Sequence, residues 1–218
     1  LNTPAELAGF AALVNGGNSF SGITVSLGKD IVLNDEATDN AWTPIGGAAQ
    51  PFYGIFDGGG HKVSVVKVNS SAKGAGFFGY AAGSAQIKNL TVAGSIVSSE
   101  ISTGGIIAVI DNSSNVTVKN CVNECTVTSA GTHLGGIVGY NSNGTIENCL
   151  NEGAVTFIGN SGNGGISGVV GTVLGGNITQ CGNLADLKLE STANTGNRLG
   201  GIVGSALCSY STDVAVTD

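Results

Sequence analysis

The chain has 218 residues, with 8 basic and 15 acidic side chains and a formal charge of −7; its basic residues are scattered from Lys29 to Arg198. That balance argues against nucleic acid and anionic membrane partners. Glycine stands at 37 with only 3 prolines and no Gly-X-Y period, which excludes collagen, while 41 % apolar against 11 % charged residues excludes a disordered chain. No apolar run approaches the ~20 residues that span a bilayer, so membrane insertion is not expected. The absence of Met, the initiator included, points to a processed mature chain or an excised piece.

The first element is a helix. In TPAELAGFAALVNGG, residues 3–17, Thr3 is placed as N-cap, Pro4 at the first helical position and Glu6 three residues after the cap, which is a capping box. Leu7, Phe10, Ala11 and Val14 fall on one face, and Gly16 or Gly17 ends the helix. Its expected use is to cover the open edge of the sheet structure that follows. Next comes LNDEATDNAW, whose Asp35, Glu36 and Asp39 form the densest acidic patch. A solvated turn is the reading adopted, with Ca²⁺ binding as the alternative.

FDGGGH, residues 56–61, has the look of a phosphate loop, but the following HKVSVVKV alternates as a strand and supplies no helix N-terminus. Asp57 is therefore expected to cap the turn made by Gly58, Gly59 and Gly60, with no catalytic role for it or His61.

From residue 76 the chain repeats. GFFGY (76–80), GIIAV (105–109), GIVGY (136–140), GISGV (165–169) and GIVGS (201–205) align without gaps, their first glycines 29, 31, 29 and 36 residues apart. A second block follows four of them: IKNLTVAGSI (87–96), VKNCVNECTV (118–127), IENCLNEGAV (146–155) and ITQCGNLADL (178–187). Length varies only between blocks, around 110–117, 171–177 and 189–199, which marks those connections as surface loops. Short strands at a period of about 30 residues, with no room for helices, predict a parallel β-solenoid whose coils stack about 4.8 Å apart. A β-propeller, with its longer period and hairpin turns, ranks second. The organisation expected is one solenoid over 1–218: a capping helix to residue 17, entry coils over 18–70, then repeats over 71–218.

Stacking turns equivalent positions into columns. Leu90, Cys121, Cys149 and Cys181 form one, and the Leu in it shows that it wants a buried apolar group rather than a metal ligand. Amides flank these cysteines and His61 and His133 lie outside the blocks, so no metal and no cofactor are expected. A disulfide remains open, with Cys121 and Cys149 the pair within reach. Asn89, Asn120, Asn148 and Gln180 form a second column, and Asn123, Asn151 and Asn183 a third; both are expected to pass amide hydrogen bonds from coil to coil.

The helix, WTPIG (42–46), YGIFDGGGHKVSVVKV (53–68) and the recurring Gly-Ile-Val-Gly units together resemble bacterial exported proteins carrying the GLUG motif, Gly-Leu-any-Gly. The matching tetrads are 76–79, 136–139, 165–168 and 201–204; Gly105 to Ala108 departs by one methyl, and Phe or Ile replaces the Leu throughout. The resemblance implies an all-β fold, a right-handed parallel β-helix in secreted or cell-surface proteins of adhesin-like character. It implies no shared catalytic residues.

The candidate ligand or partner face comes from alternation along the tetrads. If Phe77, Ile106, Ile137, Ile166 and Ile202 face inward, then Phe78, Ile107, Val138, Ser167 and Val203 face outward, beside Tyr80, Val109, Tyr140 and Val169. Phe78, Tyr80, Ile107, Val109, Val138 and Tyr140 would then form an apolar strip able to seat a host or neighbouring-cell protein, a glycan or a second protomer. The competing reading inverts the phase or covers this face with a loop. Three functions stay open: a noncatalytic extracellular adhesion or interaction module; a carbohydrate-binding or carbohydrate-active β-helix, which needs carboxylates converging on one face; and a structural spacer.

Overall fold

A computed structural model of the chain describes residues 1–34, 40–70, 74–111, 115–160, 164–190 and 196–207, and the backbone of 214–217. The acidic patch at Asp35, Glu36 and Asp39 lies outside the described residues, as does Cys208.

Helix α1 spans Pro4–Asn15, with Thr3 and Glu6 closing the capping box and Leu7, Phe10, Ala11 and Val14 buried, as the sequence predicts. Strands β1 (Thr24–Ser26), β2 (Ile31–Val32), β3 (Ile55–Asp57) and β4 (Lys62–Ser70) then build the entry coils. Every pairing between the described strands is parallel, and the pairs join residues one coil apart, so the fold is a parallel β-solenoid. One coil runs through Thr117–Lys119, Val122–Ser129, His133–Gly135 and Val138–Asn141, each segment contributing to a different sheet of seven, eight, four and five strands.

The core runs along the solenoid axis. At the helix end it is aromatic, with Phe10, Phe52, Phe56, Phe77 and Phe78 in edge and stacked contacts, and Trp42 stacked on Phe77 with its Nε1–H donating to the Phe77 carbonyl at 3.0 Å. Farther along, Ile, Val and Cys fill the same columns.

The corner between Lys119 and Val122 repeats in each coil and explains the amides. Asn89, Asn120, Asn148 and Gln180 have φ of 53°, 53°, 50° and 52°, a left-handed conformation that Asn tolerates better than most residues. Their side chains form a ladder: Asn148 Nδ2 donates to Asn120 Oδ1 at 2.8 Å, Asn120 to Asn89 at 2.9 Å, and Asn89 to Asp57 Oδ1 at 2.9 Å. A second, buried ladder links Asn123 to Asn151 at 2.8 Å and Asn151 to Asn183 at 2.7 Å. The predicted amide columns are both present.

Two sequence readings need correction. Phe78, Ile107 and Val138 are fully buried, as are Phe77, Ile106 and Ile137 beside them. The tetrads sit where the four-stranded sheet ends and the five-stranded sheet begins; at that corner the chain turns, and consecutive side chains both point inward. Alternation holds only within a straight strand. The fourth tetrad is also out of register: Val138 pairs with Val170 and not with Ser167, which pairs with Gly135. The equivalent of Gly-Ile-Val-Gly at 136–139 is therefore Gly-Val-Val-Gly at 168–171.

The end of the sequence, where the repeat fades, still continues the coil. Val214–Thr217 pairs in parallel with Gly176–Thr179 and adds a seventh strand to its sheet.

Candidate functional site

The tetrad glycines allow two sheets to approach with no side chains between them. An added Cβ would lie 2.7 Å from the Ala108 carbonyl and 2.8 Å from Thr103 backbone atoms at Gly139, and 2.6 Å from Leu134 N at Gly171. At Gly136 it would collide with the Gly168 carbonyl and the Asn151 side chain. Real Cβ atoms do not sit that close to backbone, so these positions require glycine. Ala108, the one methyl in the series, stands where, among the described residues, the facing sheet has not yet formed: there the four-stranded sheet begins at Ser102–Gly104, and Ala75 makes an isolated bridge to it.

Residues 130–156 match the sequence model of the GLUG motif. This coil carries a GLUG motif. No curated protein matches the chain. Among solved structures, a crystal structure from Bacteroides ovatus described as a "putative immunoglobulin A1 protease" has a TM-score of 0.78 at 21% sequence identity. The match covers 99% of this chain and 63% of that one, so the chain spans less than two thirds of its length. At that identity the likeness is one of fold.

Beside the GLUG corner, Tyr80, Tyr140 and His133 are part-exposed and form a small ledge along the junction of the two sheets. Tyr80, Val109, Tyr140, Thr172 and Ser205 form one column in the five-stranded sheet. Ser102, His133, Gly165 and Arg198 form the matching column in the four-stranded sheet. Tyr80 and Tyr140 are part-exposed, with Val109 nearly covered between them. The His133 ring lies 5.0 Å from the Tyr140 ring, and its Nδ1 is 2.8 Å from Thr172 Oγ1 in the next coil. Arg198 Nη1 donates to Ser205 Oγ at 3.4 Å, ending the ledge with a cation.

Burial raises the Tyr140 and Tyr80 hydroxyl pKa values above the ordinary range, with the charge of Asp111 adding to the effect on Tyr80. Burial lowers the His133 pKa, so the ring is held neutral. The ledge thus presents two neutral phenols and a neutral imidazole, suited to stacking and to uncharged hydrogen bonding.

Of the six residues of the sequence-predicted face, the structure keeps Tyr80 and Tyr140 at the surface with Val109 between them and places Phe78, Ile107 and Val138 in the core. His133 and Thr172 are the residues that sequence reasoning missed. His133 precedes its tetrad by three residues, as Ser102 precedes Gly105, and that spacing was the available signal.

The other candidates resolve as scaffold. Asp57 Oδ1 accepts from the Gly59 N–H at 3.0 Å, capping the glycine turn, and its carboxyl is held below the usual range chiefly by Asn89. His61 contacts Asp30 instead, at 3.1 Å. Lys88 pairs with Asp57 at 3.4 Å and Lys119 with Glu147 at 2.8 Å, while Lys62 pairs with Glu124. Cys121, Cys125 and Cys149 are free and buried, and Cys181 is free and part-exposed. Among the described residues no cluster of His, Cys, Asp or Glu is arranged to hold a metal, and no helix is long and apolar enough to cross a membrane.

Proposed function

We propose that this chain is a noncatalytic interaction module displayed outside the cell, and that it takes a protein or glycan partner on the ledge of Tyr80, Tyr140 and His133. The observation that carries the reading is the pair of part-exposed tyrosines, two coils and so about 10 Å apart along a rigid stack, with a covered Val109 between them. Aromatic rings on a fixed backbone give contact area at little conformational cost.

A carbohydrate-cleaving reading on the same scaffold is less well supported. Asp57 and Glu147 lie three coils apart in one column, about 14 Å by coil rise, and each is paired with a lysine. Acid–base cleavage of glycosides asks for carboxyls roughly 5–9.5 Å apart. The protease description belongs to the Bacteroides ovatus structure; here the Cys125 and Cys149 thiols have pKa values raised above the ordinary range, contrary to what a cysteine nucleophile needs.

The test is a glycan and protein binding array probed with the folded chain and with the Tyr80→Ala/Tyr140→Ala double variant. The reading expects a binder that the double variant loses while its unfolding curve stays unchanged. Binding retained in full by the double variant would remove the ledge from the account.

A further inference from the structure

We infer that the ledge takes a proline-rich peptide in the polyproline II conformation, lying along the solenoid axis with residues i and i+3 against Tyr80 and Tyr140. The inference rests on the ledge being the binding face and names the partner it takes. Tyr80 pairs with Val109 and Val109 with Tyr140, so the two tyrosines stand two coil rises apart, about 9.6 Å at about 4.8 Å per coil. A polyproline II helix presents the same face every three residues, about 9.3 Å at about 3.1 Å per residue. The two repeats nearly coincide. Other peptide shapes do not meet this spacing: an extended strand returns to one face every two residues, about 6.8 Å. An α-helix returns after seven residues, about 10.5 Å, and its carbonyls are already bonded within the helix.

The chemistry of the ledge selects the same ligand. Its floor between the tyrosines is made by Val109 and Ser102, each 7% exposed, in the neighbouring columns of the two sheets. The bridge from Ala75 to Thr103 sets Gly74 beside Ser102, so the second column reads Gly74, Ser102, His133, Gly165. From Tyr80 to Thr172 and from Gly74 to Gly165 neither column carries an acidic side chain, a lysine or an arginine. A proline-rich backbone has carbonyl acceptors, no internal hydrogen bonds and few N–H groups, so it asks a surface for apolar area and for donors. Burial keeps the phenol protons on Tyr80 and Tyr140. Where Nδ1 of His133 accepts from the Thr172 hydroxyl, the neutral ring carries its proton on Nε2 as a third donor. A sugar chain, whose hydroxyls donate as well as accept, asks in addition for carboxylate or amide acceptors, which these two columns lack.

At the Tyr80 end the ledge meets a cavity of about 240 Å³ lined by Asn15, Thr43, Pro44 and Gln50. Gly74 belongs to its wall and also abuts the Tyr80 ring, where an added Cβ would sit 2.6 Å from Cε2. Gly46 lines the cavity too, and its carbonyl accepts from the Tyr80 N–H at 3.2 Å. The lining carries no charged side chain among the described residues, so the cavity suits an uncharged side chain flanking the proline pair. Prolines laid on fixed aromatic rings beside such a pocket bind at low entropic cost, because the ligand is preformed.

The experiment is NMR of the folded chain, reading the side-chain signals of Tyr80, Tyr140 and His133 during titration with acetyl-hexaproline-amide. A glycine-serine hexapeptide and cellohexaose are the controls. Saturable shifts at all three residues are expected with hexaproline alone. Tyr80→Phe/Tyr140→Phe keeps the rings and removes the hydroxyl donors, and binding is expected to weaken at least tenfold. Val109→Tyr/Tyr140→Val keeps two tyrosines but sets them one coil apart, and binding is expected to be lost while the chain still unfolds cooperatively. No shift at millimolar hexaproline, or undiminished binding by either variant, would overturn the proposal. Shifts with cellohexaose and none with hexaproline would overturn it as well, and would leave the ledge standing as a glycan face. Silence from both probes, with no array binder lost by Tyr80→Ala/Tyr140→Ala, would remove the ledge itself.

Discussion

Asn123 donates its Nδ2–H to Asn151 Oδ1 at 2.8 Å, and both side chains are closed to solvent. Each also bonds its own turn: Asn123 Nδ2 reaches the Cys125 carbonyl at 3.1 Å and Asn151 Nδ2 the Gly153 carbonyl at 3.0 Å. The ladder therefore fixes coil register and turn shape with the same atoms.

Removing the middle rung should be costly. Asn151→Ala takes one of two donors from Asn183 Oδ1, removes the Asn151 donor from the Gly153 carbonyl and takes an acceptor from Asn123. A loss of about 3 kcal/mol is expected in urea unfolding, since each buried orphaned group costs about 1–3 kcal/mol. The outer rung at Asn148 is exposed, so Asn148→Ala should cost less in hydrogen bonding. Its φ of 50° adds a conformational penalty of about 1 kcal/mol that Asn148→Gly would avoid. An Asn151 variant no less stable than the Asn148 variant would contradict this ordering.

Gly139→Ala tests the account of the GLUG corner. Its methyl would stand 2.7–2.8 Å from Ala108 and Thr103 backbone atoms, so two sheets must separate to admit it. Overpacking of this kind costs about 1–3 kcal/mol. Ala108→Gly, at the coil whose facing sheet is unformed, should lose only about 1 kcal/mol from a buried methyl. Thermal unfolding of the two variants side by side measures the contrast.

Ser167 is fully buried and its hydroxyl has no hydrogen-bond partner among the described residues. It occupies the column of Gly135 and Gly200. Ser167→Ala removes an unsatisfied polar group without adding volume, and a gain of about 1 kcal/mol in chemical unfolding is expected. A loss of stability would mean the hydroxyl has a role that its contacts do not reveal.

The columns of Asn and Cys were legible because a fixed period near 30 residues makes equivalent positions visible, and Asn is a residue that a left-handed corner selects. The ledge was legible only in part. Tyr80 and Tyr140 stood out by type, but alternation was carried through a corner where it does not hold, which put Phe78, Ile107 and Val138 on the wrong side. The fourth tetrad was misplaced because Gly165, Gly168 and Gly171 make two overlapping Gly-x-x-Gly frames. Only strand pairing separates them. Val214–Thr217 has no Asn-Cys landmark, so its place in the stack could not be read from pattern.

His133 gives the ledge a pH dependence. Burial lowers its pKa below the ordinary 6.5, so the unfolded chain takes up this proton at a higher pH than the folded chain does. Its contribution is intact above about pH 6.5 and is lost as pH falls through the lower folded value. The midpoint of thermal unfolding should therefore drop between pH 7 and pH 5 by more in the parent chain than in His133→Gln. An imidazole titration followed by NMR should place the folded pKa below 6.5; a value above it would reverse the sign of the effect.

The thiols give the last test, which separates a core column from a reactive site. Burial, assisted by the neighbouring Glu124 carboxylate, pushes Cys125 up to about 12. Cys149 lies between the Cys121 and Cys181 thiols, and its interaction with Cys121 raises its pKa, with burial adding to the shift. At pH 8 a thiol of pKa about 12 is thiolate in roughly one molecule in ten thousand, against about a quarter for an unperturbed cysteine. Treatment of the folded chain with iodoacetamide, read by peptide mass spectrometry, should leave Cys121, Cys125 and Cys149 unmodified, while Cys181, part-exposed but with its pKa raised by its hydrogen bond with Cys149, reacts slowly. In denaturant all four should react at similar rates. Rapid labelling of Cys149 in the folded chain would mean the column opens, and the stack would then be a dynamic element rather than the spine that holds the GLUG coils in register.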